Sequence, residues 1–273
     1  MDKKTSVLIL YHSGAGSTRM VAEIYHEQLH SCYHTDLSSV SMDYDYERFL
    51  EYDYFILAFP TYHCDPSTSM MEFIKNIAAS DKPKRAFAFT TCGLFSGNTL
   101  RIFIKECLNK NIIVEGSSVY KAPATDGTLL LPSINFIYKF EKDIADRIRK
   151  DIGRIRGLIE TETSRIDWPR FKLYSILNYP NKVLGKACKH RIRLIKELCS
   201  NCNQCVRQCI RNCWMSGKDY PQYEITHCEY CFRCIHQCPK EAIVLSSNTV
   251  KKRKLNKEFY EHYKKEVLKQ LQK

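Results

Sequence analysis

Eight cysteines in two runs of identical spacing constrain this chain more than any other feature. Cys199-x2-Cys202-x2-Cys205-x3-Cys209 is followed by Cys228-x2-Cys231-x2-Cys234-x3-Cys238-Pro239. Each cysteine of the first run meets one of the second at a shift of 29 residues. A fixed shift of this kind marks an internal duplication. A ninth cysteine, Cys213, lies between the runs, and Cys32, Cys64, Cys92, Cys107 and Cys188 are scattered. The first dozen residues carry two lysines and a short apolar run, too brief for a signal-peptide core, without a small-residue cleavage site, and leading into a Gly-rich loop. That reads as a first strand of a cytoplasmic protein. Without a secretory signal, clustered cysteines at short spacing favour metal binding over disulfides. No stretch reaches the ~18 consecutive apolar residues of a membrane span.

The x2-x2-x3 spacing resembles that of the two-cluster bacterial ferredoxins, over about fifty residues from Leu194 to Leu245. In that family the first three cysteines of a run bind one [4Fe-4S] cluster and the fourth binds the other. Carried over, Cys199, Cys202, Cys205 and Cys238 hold one cluster, and Cys228, Cys231, Cys234 and Cys209 hold the second. Glu241-Ala242-Ile243 after Cys238-Pro239-Lys240 is the usual ending of such a module. A pair of zinc knuckles is the competing reading, but zinc sites use two pairs of ligands, often with His, and do not need four cysteines in one run. The first run departs from the second in having Ile210 where the second has Pro239, and Cys213 where it has Ala242. Cys213 is read as a buried spare thiol beside the cluster.

The first 120 residues alternate strand and helix signals. Apolar runs at Val7–Tyr11, Tyr54–Phe59, Arg85–Thr90 and Ile112–Tyr120, with a weaker one at His34–Val40, read as strands. Helical spacing covers Ser17–His30, Ser69–Ala79 and Thr99–Lys110, and Ile144, Ile148, Ile152, Ile155 and Ile159 form a stripe on a charged helix from Glu141 to Glu160. Strands alternating with helices imply a doubly wound α/β sheet of five parallel strands. Its order would be 2-1-3-4-5, with ligands at the carboxyl ends of the strands.

Between the first strand and the first helix lies Ser13-Gly14-Ala15-Gly16-Ser17-Thr18. A Gly-rich turn at a helix N-terminus offers free N–H groups and the positive end of the dipole, which suits a phosphate. It lacks the lysine of a Walker A loop and the spacing of a dinucleotide fingerprint. Pro60-Thr61-Tyr62-His63-Cys64-Asp65 follows the third strand, and Thr91-Cys92-Gly93 through Gly97-Asn98 follows the fourth. Together these loops resemble the three FMN loops of the flavodoxins. The resemblance implies that Ser13, Gly14, Ala15, Gly16, Ser17 and Thr18 bind the phosphate. Pro60, Thr61 and Tyr62 would border the flavin on one side, and Thr91, Cys92, Gly93, Gly97 and Asn98 on the other. His63, Cys64 and Asp65 are less typical at that edge.

The whole chain is similar to the flavodoxin–ferredoxin fusion family of anaerobic microbes. That resemblance implies a flavodoxin-like FMN domain over 1–165, a connector over 166–193, a small α+β two-[4Fe-4S] ferredoxin domain over 194–247, and a basic C-terminal helix over 248–273. The expected function is intracellular electron transfer between two [4Fe-4S] clusters and FMN, with a redox partner protein or a small electron acceptor. The alternative is an FMN-dependent reductase of a quinone, disulfide or unsaturated metabolite, with His63, Cys64 and Cys92 as acid or thiol candidates. The formal net charge of +12 is uneven: residues 121–198 hold 17 Lys+Arg against 9 Asp+Glu, and residues 248–273 hold 9 against 3. Nucleic acid is disfavoured as the reason. Phe259, Tyr260, Tyr263, Val267 and Leu271 recur at helical spacing, so the tail should pack on its own protein or on an acidic redox partner. Bound clusters and FMN would lower the net charge to about +6.

Overall fold

The computed structural model describes residues 4–41, 46–131, 133–161, 165–177, 183, 191–245 and 254–272. Cys188, the Tyr179-Pro180 part of the connector and the basic run Lys251-Lys252-Arg253 lie outside them. Alternating burial builds the first half. In β3 (Tyr54–Tyr62), Tyr54, Ile56 and Ala58 enter one core and Phe55, Leu57 and Phe59 the other. A strand buried on both faces belongs in the middle of a parallel sheet. It pairs in parallel with β1 (Ser6–Tyr11) and with β5 (Lys84–Cys92). Beyond these lie β2 (His34–Ser39) and β6 (Ile112–Lys121), giving the order β2-β1-β3-β5-β6. This is the expected five-stranded parallel sheet. The numbering differs because β4 (Asp65–Pro66) is a short antiparallel addition to the end of β3.

One face is covered by α1 (Ser17–Leu29), α6 (Ile144–Thr161) and the C-terminal helix Lys257–Leu271. The Ile144, Ile148, Ile152 and Ile155 stripe is buried there, with Ile159 at its rim. The other face is covered by α2 (Tyr46–Phe49), α3 (Thr68–Asn76) and α4 (Thr99–Leu108). The sequence reading had no helix at α2. It is a single turn, held by Phe49 stacking on Phe55 at 4.3 Å, and one turn is too short to show a period. A bulge at Glu115 in β6 interrupts the register with β5 and turns that carboxylate inward, where Arg85 Nε meets it at 2.7 Å.

The basic tail packs on its own protein. Leu255, Tyr260 and Val267 are buried in the sheet core, and Lys264 bridges Glu23 and Glu27 of α1 at 3.1 and 2.7 Å. Tyr260 also hydrogen-bonds Ser17 at 3.1 Å. Its ring lies against Gly16, whose φ of 148° and lack of a side chain let α1 begin directly under it. Replacing Tyr260 by Ala should therefore cost about 3 kcal/mol, measured by chemical denaturation. Tyr260→Phe, which removes only the hydroxyl, should cost about 1 kcal/mol.

The cysteine-rich region is built from very short elements. β7 (Arg193–Leu194) pairs antiparallel with β10 (Ile243–Val244), and β8 (Trp214–Met215) pairs with β9 (Gln222–Tyr223). Two helical turns, Gln204–Gln208 and Arg233–His236, occupy equivalent places in the repeat. The duplication is carried into the backbone. Left-handed residues occur at Asn201, Asn203 and Asn212 (φ 51°, 55° and 51°) and again at Tyr230, Phe232 and Glu241 (52°, 55° and 51°). Each pair is separated by the same 29 residues as the cysteines. Ile192, Trp214, Phe232, Ile235, Ile243 and Leu245 form its core, joined by Leu129 of the preceding segment.

Candidate functional site

At the carboxyl ends of β1, β3 and β5 lies a cavity of about 480 Å³, within the size range of cofactor sites. Eleven of the fourteen proposed flavin-loop residues line it: Ser13, Gly14, Ala15, Ser17, Thr18, Pro60, Thr61, Tyr62, Thr91, Cys92 and Gly93. The parallel sheet brings them together because all three loops leave the same edge. Gly16, Gly97 and Asn98 do not line it. Gly16 faces Tyr260, and Gly97 packs against Cys64. Asn98 holds the connector, its Oδ1 accepting from Lys172 N at 2.8 Å and its Nδ2 donating to Lys172 O at 3.1 Å.

The cavity fits an anionic ligand with a polar head. The N-terminus of α1 has no side-chain cap, so its first N–H groups are open to a phosphate. Ser13 Oγ and Tyr62 Oη are buried without hydrogen-bond partners. The Thr18 and Thr91 hydroxyls meet at 2.7 Å and tie the first loop to the third. Burial pushes the Cys92 thiol up to about 12, so it lines the wall as a neutral side chain. His63 and Cys64 also line the cavity. They form the two-residue turn between β3 and β4, both with positive φ (51° and 65°). Such hairpin turns favour Asn and Gly, so the residue types concealed this one.

Two parts of the wall were not foreseen. The stretch 122–127, with Leu130, Leu131 and Ile137, closes one side, and Leu94, Phe95, Leu130 and Leu131 leave an exposed apolar lip. Tyr230 and Phe232 of the second cysteine run close another side. A signal for these existed. The second run has Tyr230, Phe232 and Arg233 where the first has Asn201, Asn203 and Gln204, and that departure marks the face that packs on the sheet domain.

The eight cysteines divide between two further cavities. One is lined by Cys199, Cys202, Cys205 and Cys238, together with Cys234. The other is lined by Cys209, Cys228, Cys231 and Cys234, together with Cys205 and Cys213. Each contains one of the two crossed sets of four. Backbone N–H groups donate to sulfur at matching places: Asn201 to Cys199 and Tyr230 to Cys228, both at 3.4 Å, and Cys213 to Cys209 and Ala242 to Cys238, both at 3.3 Å. Such donors stabilise thiolate charge. Lys254 Nζ is buried without a hydrogen-bond partner, and burial lowers it against the opposing charges of Glu241 and Cys238. Cys213 is buried, and hydrogen bonding from its side chain is the main cause lowering the Cys209 and Cys228 thiols. Among the described residues, no group of three or more His, Cys, Asp and Glu could hold a metal ion; the thiols stand around cavities.

The second run is locked onto the first loop. A Cβ at Gly14 would overlap Tyr62 Oη and come within 3.0 Å of Cys231 O and 3.1 Å of Cys231 Cβ, so glycine lets both residues approach the loop. Arg233 donates to the carbonyls of Ser13, Gly14 (2.9 Å) and Gln208 (2.9 Å), and Gln237 donates to Ala15 O at 2.9 Å. Below them His12 Nε2 meets Glu229 Oε1 at 3.0 Å, with both side chains buried. Ser69 N and Oγ donate to the same carboxylate at 3.0 and 2.9 Å. Burial alone would raise Glu229, but His12 and the two Ser69 donors outweigh it and hold the carboxyl at about 2. Burial lowers His236 to about 4. Its Nδ1 accepts from Leu255 N at 3.2 Å, which leaves Nε2 to donate to Thr125 O at 2.9 Å.

A family model for flavodoxin matches residues 9–103. The N-terminal region is a flavodoxin-like domain. Among solved structures, Flavodoxin 2 from Bacillus cereus is 19% identical, covering 43% of this chain and 84% of its own, with a TM-score of 0.38. A flavodoxin from the domain Archaea is 18% identical, covering 53% and 99%, with a TM-score of 0.38. The two-electron reduced flavodoxin of Megasphaera elsdenii is 23% identical, covering 41% and 84%, with a TM-score of 0.37. No curated protein matches the chain. No helix among the described residues is long and apolar enough to cross a membrane.

Proposed function

We propose that this protein is an electron-transfer iron–sulfur flavoprotein. FMN would occupy the cavity at the strand ends of the flavodoxin-like domain. Two [4Fe-4S] clusters would be held by Cys199, Cys202, Cys205 and Cys238, and by Cys228, Cys231, Cys234 and Cys209. The observation that carries this reading is the contact of Gly14 with Cys231. It sets a proposed cluster ligand against the loop proposed for the flavin phosphate, with no intervening layer. When bound, FMN supplies exchange of one or two electrons and the clusters supply exchange of one at a time. The chain's own residues do the positioning. Ser13 and the open N-terminus of α1 offer donors to the phosphate, while Tyr62 and Gly93 line the cavity beside them. The backbone donors to Cys199, Cys209, Cys228 and Cys238 stabilise thiolate charge, and Lys254 offers a counter-charge near Cys238. Metal binding would also staple the small cysteine-rich core.

Purified without oxygen, the protein should carry one FMN and about eight irons, four per cluster. Changing Cys231 to Ser should remove the second cluster's signature from the electron paramagnetic resonance spectrum. Zinc in place of iron would overturn the reading. A second reading is favoured by the apolar lip of Leu94, Phe95, Leu130 and Leu131 at the cavity mouth. That lip suits a flat apolar acceptor, so an FMN-dependent reductase of a quinone is the alternative. Turnover of a soluble quinone by the pure, cluster-reduced protein would favour it, and transfer only to a partner protein would favour the carrier.

A further inference from the structure

We infer that electrons are exchanged with an external, small, acidic electron-transfer protein at the face around Cys202. This rests on the cluster assignment proposed above. The internal junction provides the template. In the second run Cys231 presses on Gly14, and Tyr230, Phe232, Arg233 and His236 around it are covered by the sheet domain and the segments that follow it. Shifted by one repeat, that face becomes Cys202 with Asn201, Asn203, Gln204 and Arg207. Cys202, Asn201 and Arg207 are exposed, whereas none of Cys209, Cys228, Cys231 and Cys234 is. The duplication thus makes the same kind of face twice, and among the described residues only the second copy is covered by other parts of the chain.

Charge specifies the partner. Arg191, Arg193 and Lys196 lead into the first run, Arg207 stands on its helical turn, and Lys240 follows Cys238-Pro239; all five are exposed. Against them, Glu197 is the one exposed carboxylate among the described residues of 191–208 and 238–241. A basic rim around an exposed ligand steers an acidic partner and orients its redox centre toward that edge. The step is a bare electron transfer. The partner's reduced centre loses one electron and the Cys199, Cys202, Cys205 and Cys238 cluster gains it, with no bond made or broken and no proton moved.

The test uses the anaerobically purified full-length holoprotein and an acidic two-cluster bacterial ferredoxin as probe. Affinity is measured by calorimetry with both proteins oxidised, and the reduction rate by stopped flow with the ferredoxin reduced. The double variant Lys196→Glu/Arg207→Glu should weaken binding and slow reduction about tenfold at low salt. Iron content and direct reduction by dithionite should not change. The pair Lys265→Glu/Lys269→Glu, on the exposed face of the C-terminal helix, should leave both quantities unaltered. A flat dependence on ionic strength, or an effect of the helix pair in place of the rim pair, would overturn the inference. So would tighter binding of a DNA duplex than of the ferredoxin at the rim. A holoprotein with about eight irons that ignores the rim variants removes this face alone, whereas a protein without iron removes the cluster assignment and this inference with it.

Discussion

Replacing Glu229 by Ala should lower the stability of the folded protein by about 3–5 kcal/mol. Glu229 and His12 are both buried, one in the cysteine-rich region and the other at the end of the first strand. Removing one partner of a buried pair leaves the other without compensation. The substitution also strips two acceptors from Ser69 at the start of α3, one for its N–H and one for its hydroxyl. An unsatisfied buried donor adds about 1–3 kcal/mol where nothing replaces the bond. Glu229→Gln, which keeps an acceptor for Ser69 and loses the charge, should cost less than half as much. Denaturant titration of the three proteins checks this. Equal stability of Glu229→Ala and the parent would show that the two regions are not joined through this carboxylate.

Arg233→Gln should weaken FMN binding about 100-fold, or about 2.7 kcal/mol. That is the worth of one or two hydrogen bonds to a charged donor. Arg233 does not line the flavin cavity; it is a positioning residue. Its guanidinium donates to the Ser13 and Gly14 carbonyls and so fixes the backbone of the loop that lines the cavity. Glutamine is what the first repeat carries at the equivalent place, Gln204, so the repeat itself should tolerate the change. Iron content should therefore be retained while FMN dissociates more readily, read by the recovery of flavin fluorescence on titration of the apoprotein. In the reading proposed above, the magnetic interaction between the flavin radical and the proposed second cluster should weaken in parallel, a readout that loss of general stability would not produce. Unchanged flavin affinity would show that the loop holds its shape without Arg233.

Much of this architecture could be read before folding because it is written in short-range patterns. The apolar runs of β3 and β5 and the isoleucine stripe of α6 are periodic, and periodicity survives in one dimension. The loop Ser13–Thr18 was legible as a glycine-rich turn between a strand and a helix, and its residues line the cavity except Gly16. The resemblance to the flavodoxin loops puts Gly97 and Asn98 at the cavity, yet neither lines it: Asn98 holds the connector at Lys172 and Gly97 lies against Cys64. The side to which a loop residue points depends on the segment packed over it, and that segment is more than 70 residues away in the chain. The His63–Cys64 turn was hidden for a different reason. Positive φ at both positions is held by the pairing of Thr61 with Pro66 and Tyr62 with Asp65, not by the residues' own preferences.

The duplication of the cysteine runs, with its shift of 29 residues, was legible in the chain alone. Spacing along the backbone is a local quantity, and the repeat of left-handed residues at the same shift follows from it. The sequence by itself also determined the sheet order. Only the tertiary structure decided which repeat faces the flavodoxin-like domain. It packed Cys231 on Gly14, closed the cavity with Tyr230 and Phe232, and left Cys202 at the surface. The two runs have the same spacing, so spacing cannot distinguish them. The choice lies in aromatic and cationic side chains whose partners, Ser13, Gly14 and Thr125, stand more than a hundred residues away, and contacts at that range are made only when the two regions pack.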